Sequence, residues 1–327
     1  LFLINFIANI KTLNGQPVYI WMWLTGIVFF LFTYLESNLW LIPSIRNNLV
    51  KDMTIQWKSY GSLVGSWNML IYGSSIYLMD KIAGNKKYSL SKMGFALYFL
   101  SLFNLMFNWG HHIYTLPTAP YVQYISYGVS MTELLIFGRI IWIWRSSVST
   151  AKKHFHYRPY QFLVAADFWV FMTLGLAIAM SVPSLNIYMH GTHTIVAHTM
   201  GATIGINTML LLAFAFEITY SNSQSSKKYK RLVDRGYWLI NISLMVFWLA
   251  LIIAGFMKAH WEFSQPNVPF GSMMIALKPW FFTFYFSGVL LVTGFVMATY
   301  PLVKYQLIKL RNRNSGEFTD SKIKSAA

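Results

Sequence analysis

The sequence contains no cysteine and few charged residues, and both absences restrict what the protein can be. Without cysteine, disulfide bonds, thiolate metal ligands and cysteine nucleophiles are all excluded. Charged residues form only 11% of the chain and hydrophobic residues form 56%, whereas charged residues make up about 25% of ordinary soluble domains. Most of such a chain cannot form a solvated surface, so the sequence predicts an integral membrane protein.

Long apolar segments recur along the chain, and about 17–25 residues suffice to cross a bilayer as a helix. We therefore predict an all-α protein with about eight transmembrane helices. The predicted spans are 18–35, 60–79, 93–107, 121–144, 161–182, 193–216, 236–257 and 276–300. We expect one transmembrane helical domain over residues 1–310, starting within a helix, and a polar cytoplasmic tail over residues 311–327. Residues 1–10 read as a truncated helix, so an upstream segment or a partner is expected to supply further helices.

The net charge of +16 reflects topology in the bilayer rather than nucleic-acid binding. If the eight helices alternate in direction, 20 of the 26 basic residues fall on one side of the membrane. Basic residues accumulate in cytoplasmic loops, so this side is the cytoplasm. The distribution predicts a multi-pass protein with a cytoplasmic C-terminus and with anionic lipid, not nucleic acid, beside its basic loops.

Five of the eight histidines fall in two segments near the outer ends of predicted helices. The first segment is Asn-Trp-Gly-His-His at 108–112, and the second is Tyr-Met-His-Gly-Thr-His-Thr-Ile-Val-Ala-His-Thr-Met at 188–200. Side chains at equal depth on different helices can meet around one centre, and polar groups in a membrane are costly unless they bind a ligand or pair. Any one of these histidines alone would be read as a helix cap at the interface. The pair His111 and His112 together with His198 instead favours a metal site.

Adjacent histidines on a regular α-helix point about 100° apart. A shared role for His111 and His112 therefore requires the helix to end near them. Gly110 before the pair and Pro117 after it are consistent with such an end.

His198 and Met200 are two positions apart, so on a helix they project to nearly opposite faces. Both side-chain types bind haem iron, and a helix wedged between two haems could present one ligand to each. For Met200 taken alone, ordinary packing among 17 methionines is the simpler interpretation.

The segments Gly-His-His at 110–112 and His-Gly-Thr-His-Thr-Ile-Val-Ala-His at 190–198 resemble the best-marked segments of the nitric oxide reductase large (cytochrome b) subunit, a member of the haem–copper oxidase superfamily. The resemblance covers nearly the whole chain and implies a partial haem–copper oxidase-like helical bundle. In that family the paired histidines bind non-haem iron, and the last histidine of the second segment is the axial ligand of the high-spin haem. The resemblance thus implies His111 and His112 as metal ligands and His198 as a haem ligand.

Residues 60–68 resemble the family's His-x-x-x-Glu-Gly-x-Trp-Glu segment, with Gly65 and Trp67 as the matching positions. Tyr60 stands where the third iron histidine is expected, which makes it a candidate metal ligand and catalytic residue. Val64 takes the place of the first glutamate, and Asn68, the last residue of the segment, replaces the second. The metal site implied by the resemblance is therefore incomplete.

The remaining implied roles concern haem and protons. Met200 stands where the family has a second histidine, so a low-spin haem here would have His/Met ligation and a raised potential. His190 is placed in the neighbourhood of the haem propionates, and Glu133 matches a family glutamate and is a candidate catalytic residue. The implied cofactors are haem b, one or two, and non-haem iron or another metal.

The resemblance implies an oxidoreductase of the bacterial inner membrane that reduces nitric oxide to nitrous oxide at a haem/non-haem metal centre. A c-type cytochrome subunit or quinol would donate the electrons. A terminal oxidase subunit is the nearest variant. The replaced ligands favour instead a non-catalytic haem-binding or structural subunit of a respiratory membrane complex. A transporter with a polar path through Glu133, Arg139 and Asp167 has weaker support, because charges within membranes usually pair.

Overall fold

The computed structural model describes residues 1–130, 133–219 and 227–314, and these residues form helices and connecting loops without a β-strand. A 3-10 helix covers Asn108–Ile113 and a π-helix covers Gly201–Thr208. The α-helices are α1 (Phe2–Ala8), α2 (Val18–Glu36), α3 (Pro43–Arg46), α4 (Leu49–Ala83), α5 (Lys92–Phe107), α6 (Pro120–Ser130), α7 (Glu133–Ser147), α8 (Thr150–Phe155), α9 (Tyr157–Ser181), α10 (Pro183–Met189), α11 (His193–Met200), α12 (Met209–Thr219), α13 (Lys227–Ser264) and α14 (Phe270–Asn314).

The predicted all-α membrane class is confirmed. Within the described ranges, five helical segments are long and apolar enough to cross a membrane, and each matches a predicted span. These segments are Val18–Leu41, Tyr157–Ser181, His193–Thr219, Lys227–Ser264 and Phe270–Arg311.

The other three predicted spans correspond to helices that do not meet the same criterion. Helix α4 is longer than predicted, but its serines, glycines and asparagine lower its mean hydropathy. Helix α5 has only 16 residues. The fourth predicted span is divided between α6 and α7, and residues 131–132 between them lie outside the described residues. Length and apolarity thus identify five of the eight predicted spans here, and the other three stay predictions.

Several helices extend past the apolar segments that predict them. Helix α14 continues to Asn314, beyond the predicted start of the tail at residue 311, and residues 315–327 lie outside the described part of the chain. Basic side chains in the last turns of a helix interact favourably with its negative C-terminal end, which explains why the helix persists beyond its apolar run. Hydropathy alone therefore predicts the extent of the apolar segment and not the last residue of the helix.

The chain divides into two compact units, which we describe separately. The first unit comprises Leu1–Ser149 and Phe171–His190, and the second comprises Thr150–Val170 and Gly191–Ala327. Helix α9 therefore contributes its N-terminal half to the second unit and its C-terminal half to the first.

In the first unit, side-chain hydroxyl and indole groups join neighbouring helices. The indole of Trp23 on α2 donates a hydrogen bond of 3.1 Å to the carbonyl oxygen of Leu70 on α4. Ser62 on α4 donates one of 2.8 Å to the carbonyl oxygen of Leu105 near the end of α5. Since lipid offers no hydrogen-bond partner, such contacts satisfy polar groups and fix helix positions together. The second contact holds the end of α5, which leads directly into the paired histidines.

In the second unit, α13 and α14 pack closely along their lengths. A Cβ atom on Gly236 of α13 would lie 2.8 Å from the carbonyl oxygen of Gly294 on α14, so only glycine permits this approach. Arg158, at the start of α9, is buried and forms an ion pair with Asp234 on α13. The ion pair fixes the N-terminal half of α9 against α13.

Candidate functional site

The paired histidines lie in a 3-10 helix, because α5 ends at Phe107 and the chain tightens over Asn108–Ile113. The helix end that a shared role for the pair requires is therefore present. The ring centroids of His111 and His112 lie 4.1 Å apart with an angle of 42° between the ring planes. His111 is buried and His112 is half-buried. Two imidazoles are thus brought side by side by the tightened turn.

Polar side chains hold this 3-10 turn in place. Asn108 Oδ1 lies 3.0 Å from His111 Nδ1, and Ser126 Oγ donates a 2.8 Å hydrogen bond to the Asn108 carbonyl oxygen. Asn186 Nδ2 donates to the carbonyl oxygens of His111 at 3.1 Å and Met180 at 2.7 Å. The turn is thereby tied to α6 through Ser126 and to α10 through Asn186.

The contact with Asn108 fixes the tautomer of His111. An amide oxygen can only accept a hydrogen bond, so His111 Nδ1 must carry the proton. The basic nitrogen of the ring is then Nε2. Neutral imidazole with a fixed donor nitrogen is the form in which histidine binds metals, and the group that accepts from the other nitrogen orients the ring.

A third histidine, His190, belongs to the same cluster in the first unit. Trp57 on α4 stacks on His112 with ring centroids 5.0 Å apart and planes at 12°, and it meets His190 edge-on at 6.0 Å. The ring of His190 is hydrogen-bonded to the backbone of His112, and burial lowers the pKa of His190 below its ordinary value. Its Nε2 atom is buried and has no hydrogen-bond partner among the described residues. The lowered pKa favours the neutral imidazole, and the ring of His190 is associated with the paired histidines.

Tyr60 and Val64 do not join this cluster. Tyr60 is 45% exposed and Val64 is 55% exposed. Within the described ranges no hydrogen bond or ring contact joins Tyr60 to either member of the pair. The next residue, Gly61, is the one that meets the 3-10 turn, because a Cβ atom there would lie 2.5 Å from Trp109 Cβ.

The two sequence-predicted ligands of the second unit lie on α11. His198 and Met200 are both half-buried, and the π-helix begins directly after Met200. Short π-helical segments are frequent at functional sites. At the other end of α11, His193 Nδ1 is buried and lacks a hydrogen-bond partner within the part of the chain described, and Lys258 donates to the Gly191 carbonyl oxygen. This end of α11 therefore carries a cation next to an imidazole with unused hydrogen-bonding capacity.

The remaining predicted residues are spread over both units. Glu133 is the first residue of α7, and its side chain lies outside the described residues. Arg139, in the first unit, is exposed, whereas Asp167, in the second, is buried. The structure thus adds no observation in favour of a transporter path through these three residues.

Two asparagines and a tryptophan of the site are not identified from the sequence. Asn108 could have been found, because it precedes His111 by three residues and a 3-10 turn brings such positions together. Trp57 and Asn186 carry no comparable signal, since their contacts with the turn depend on the packing of α4 and α10.

Comparison with known families identifies the class of protein. The sequence matches the family model of cytochrome c and quinol oxidase polypeptide I over residues 1–303. The chain belongs to this family, which is subunit I of the haem–copper oxidases. Individual curated proteins give no significant match. The superfamily predicted from the two histidine segments is confirmed, and nitric oxide reductase within it stays a prediction.

The donor atoms of this chain fit the cofactors of the family in part. The family binds haem, and α11 offers a half-buried histidine and methionine with a cationic group near its N-terminal end. For a second metal, the first unit offers two adjacent imidazoles with one tautomer fixed. The described residues contain no group of three or more His, Asp or Glu that could hold a metal ion. A second metal here would therefore need water or a further ligand to complete its shell.

Proposed function

We propose that this chain is a nitric oxide reductase-like, haem-binding membrane subunit that reduces nitric oxide to nitrous oxide at a haem/non-haem metal centre. The observation that supports the proposal most is the pair His111 and His112, with rings 4.1 Å apart in a turn fixed by Asn108 and Asn186. Coupling two small neutral molecules needs two anchoring points held at fixed separation, which lowers the entropic part of the barrier. Two imidazoles held in one orientation supply protein ligands for the second anchor.

The proposed roles follow the donor chemistry of each residue. His198 would be the axial ligand of a haem b, and Met200 would serve a second, low-spin haem. His111 and His112 would hold non-haem iron or another metal, with Tyr60 as a candidate third ligand. When bound, these metals would pass electrons from the electron donor to the substrate and polarise it. The role of the protein would be to orient the ligands and to keep His111 in one tautomer.

Two further residues are proposed to act through charge and protons. His190, beside His112, would lie in the neighbourhood of a haem propionate, where its second ring nitrogen, an acceptor in the neutral ring, would accept a hydrogen bond from a protonated propionate. Glu133 would carry protons to the reduced substrate, since a carboxyl group in a membrane span is rare outside such pathways.

We further propose a bacterial inner-membrane location with residues 311–327 in the cytoplasm. The basic loops support this orientation. Residues 1–310 would form the transmembrane domain and associate with other membrane subunits or an upstream helical segment. The electron donor would be a c-type cytochrome subunit or quinol.

The test is metal analysis of the intact membrane complex combined with measurement of nitric oxide consumption. We expect haem, a second metal and nitrous oxide production, with the second metal and the activity both lost in His111→Ala and His112→Ala. The control is His260→Ala, which removes an exposed histidine on α13. Haem without a second metal and without turnover would contradict the proposal. Oxygen consumption in place of nitric oxide consumption would identify a terminal oxidase subunit.

The second candidate function is a non-catalytic haem-binding or structural subunit of a respiratory membrane complex. The observation that favours it is the exposure of Tyr60 and Val64, the positions at which the resemblance expects the third iron histidine and a glutamate. Tyr60→His distinguishes the candidates. In a variant reductase it should strengthen metal binding, whereas in a subunit without a metal site it should leave the metal content unchanged.

A further inference from the structure

A cavity of about 420 Å³ opens at one end of the first unit, between α2, α4 and α5. Its volume is in the range of about 300–1,000 Å³ that ligand sites occupy. Aromatic, aliphatic and thioether side chains form much of its wall, together with two hydroxyl groups and one ion pair. The apolar residues are Phe29, Phe32, Leu105 and Met106, and the ion pair is Glu36 with Lys58.

The length of α2 places the ion pair near the depth of the lipid headgroups. Helix α2 has 19 residues and ends at Glu36, within the membrane-spanning segment Val18–Leu41, and at about 1.5 Å per residue it spans roughly the thickness of the hydrocarbon core. Phe32 and Phe29 precede Glu36 by about one and two turns and therefore lie at the depth of the acyl chains. The cavity thus has a charged end at the interface and an apolar end within the bilayer.

The two charged groups are the polar groups of the cavity that remain accessible. Lys58 Nζ lies 2.6 and 2.5 Å from the two carboxylate oxygens of Glu36, and the side chains are 35% and 28% exposed. The hydroxyl groups of Thr33 and Ser62 donate to the carbonyl oxygens of Phe29 and Leu105 instead. A ligand head must therefore be recognised by the ammonium and the carboxylate together.

We propose that this cavity binds a zwitterionic phospholipid, phosphatidylethanolamine. The phosphate contacts Lys58, the ammonium of the headgroup contacts Glu36, and one acyl chain packs against Phe29, Phe32 and Met106. An anionic headgroup gains little here, because the carboxylate of Glu36 cancels the charge of Lys58 at contact distance. A headgroup with both charges complements both side chains. The proposal is independent of the reductase function.

The test measures lipid retention by the purified membrane complex. The protein is reconstituted in nanodiscs with equal phosphatidylethanolamine and phosphatidylglycerol, washed with detergent, and analysed by native mass spectrometry. The wild type should retain phosphatidylethanolamine in preference. Lys58→Met should lower this retention about tenfold, as expected for the loss of one charge-assisted contact. The control is Lys51→Met, which removes an exposed lysine from the same helix α4.

Two more variants keep the proposal falsifiable if a single substitution impairs folding. Glu36→Gln should lose phosphatidylethanolamine and gain phosphatidylglycerol, because only the cation remains. The exchanged double variant Glu36→Lys with Lys58→Glu should keep the preference for phosphatidylethanolamine. Equal retention in the wild type and in Lys58→Met would overturn the proposal. So would a preference of the wild type for phosphatidylglycerol, or a co-purifying quinone released by the same substitutions.

Discussion

The two histidine-bearing segments differ in backbone conformation. In the first unit the pair lies in a 3-10 turn over Asn108–Ile113, whereas in the second unit His198 lies on the regular helix α11, which continues into the π-helix Gly201–Thr208. A 3-10 turn has poorer hydrogen-bond geometry than an α-helix and is rarely long. The first segment is accordingly fixed by side chains that bind its backbone from other helices, while the second is fixed by its own helical hydrogen bonds.

This difference predicts which substitutions disturb each segment. Replacing the proposed ligand His198 on α11 removes its side chain and leaves the backbone in place, because the helix does not depend on that side chain. Replacing Asn108 or Asn186 leaves both histidines of the pair present but releases the turn that aligns them. Substituting the proposed ligand should therefore have the larger effect in the helical segment, and substituting a supporting residue should have the larger effect in the 3-10 turn.

The largest effect is expected at the helical segment. His198→Ala should abolish binding of the haem that we propose this residue ligates, because alanine offers no donor atom to the iron. A pyridine haemochrome assay on the purified complex measures the haem, and the helical content measured by circular dichroism should change little because α11 persists. His154→Ala, at an exposed position on α8, serves as the control. An unchanged haem content and spectrum in His198→Ala would rule out the assignment.

The next effect is expected in the 3-10 turn. Asn108→Ala removes the acceptor that holds His111 Nδ1 and should weaken binding of the second metal about 10–100-fold, the usual consequence of losing a group that orients a ligand. Titration of the metal-depleted complex with Fe²⁺ or Zn²⁺ measures the affinity. Asn104→Ala is the matched control, because Asn104 donates only to the carbonyl oxygen of Leu100 within α5. Equal affinities for the two variants would show that the tautomer of His111 does not depend on Asn108.

A smaller effect on stability is expected at the second support of the same turn. Asn186 is 2% exposed, and Asn186→Leu leaves the carbonyl oxygens of His111 and Met180 without this donor. Each buried acceptor left in this way costs about 1–3 kcal/mol. The unfolding midpoint in detergent should fall accordingly. Asn241→Leu, which loses a single hydrogen bond within α13, is the control, and an equal fall in both variants would contradict a special role for Asn186.

The fold class and the histidines could be predicted from the sequence for physical reasons. Apolar segments of bilayer length need no information about neighbours, so the spans on α2, α9, α11, α13 and α14 follow from composition. The end of α5 before His111 follows from the local turn chemistry around Gly110. Both kinds of signal lie within a few residues of the feature that they predict.

The supports of the site could not be predicted in the same way. Asn186 reaches His111 across 75 positions of sequence, and Trp57 reaches His112 from α4. The expectation that Tyr60 joins the histidines depends on matching its position to a family motif. The contact made on α4 instead comes from Trp57, one turn earlier, because the side-chain-free face at Gly61 is what packs against Trp109. Which turn of a helix contacts a neighbouring helix depends on how the two helices pack, and the residue type at one position does not determine that packing.

The smallest effect is expected at the N-terminal cap of the helical segment. The Thr192 side chain accepts a hydrogen bond of 3.3 Å from the backbone N–H of Thr194, where α11 begins. Thr192→Ala should lower the free energy of unfolding by about 0.5–2 kcal/mol, because one backbone donor at the helix start loses its acceptor. Thr192→Ser keeps the hydroxyl group and should restore most of the stability, while haem bound through His198 should be retained in both variants. If Thr192→Ala costs as much as Asn186→Leu, the helical segment depends on single side chains as strongly as the 3-10 turn does, and the contrast between the two segments fails.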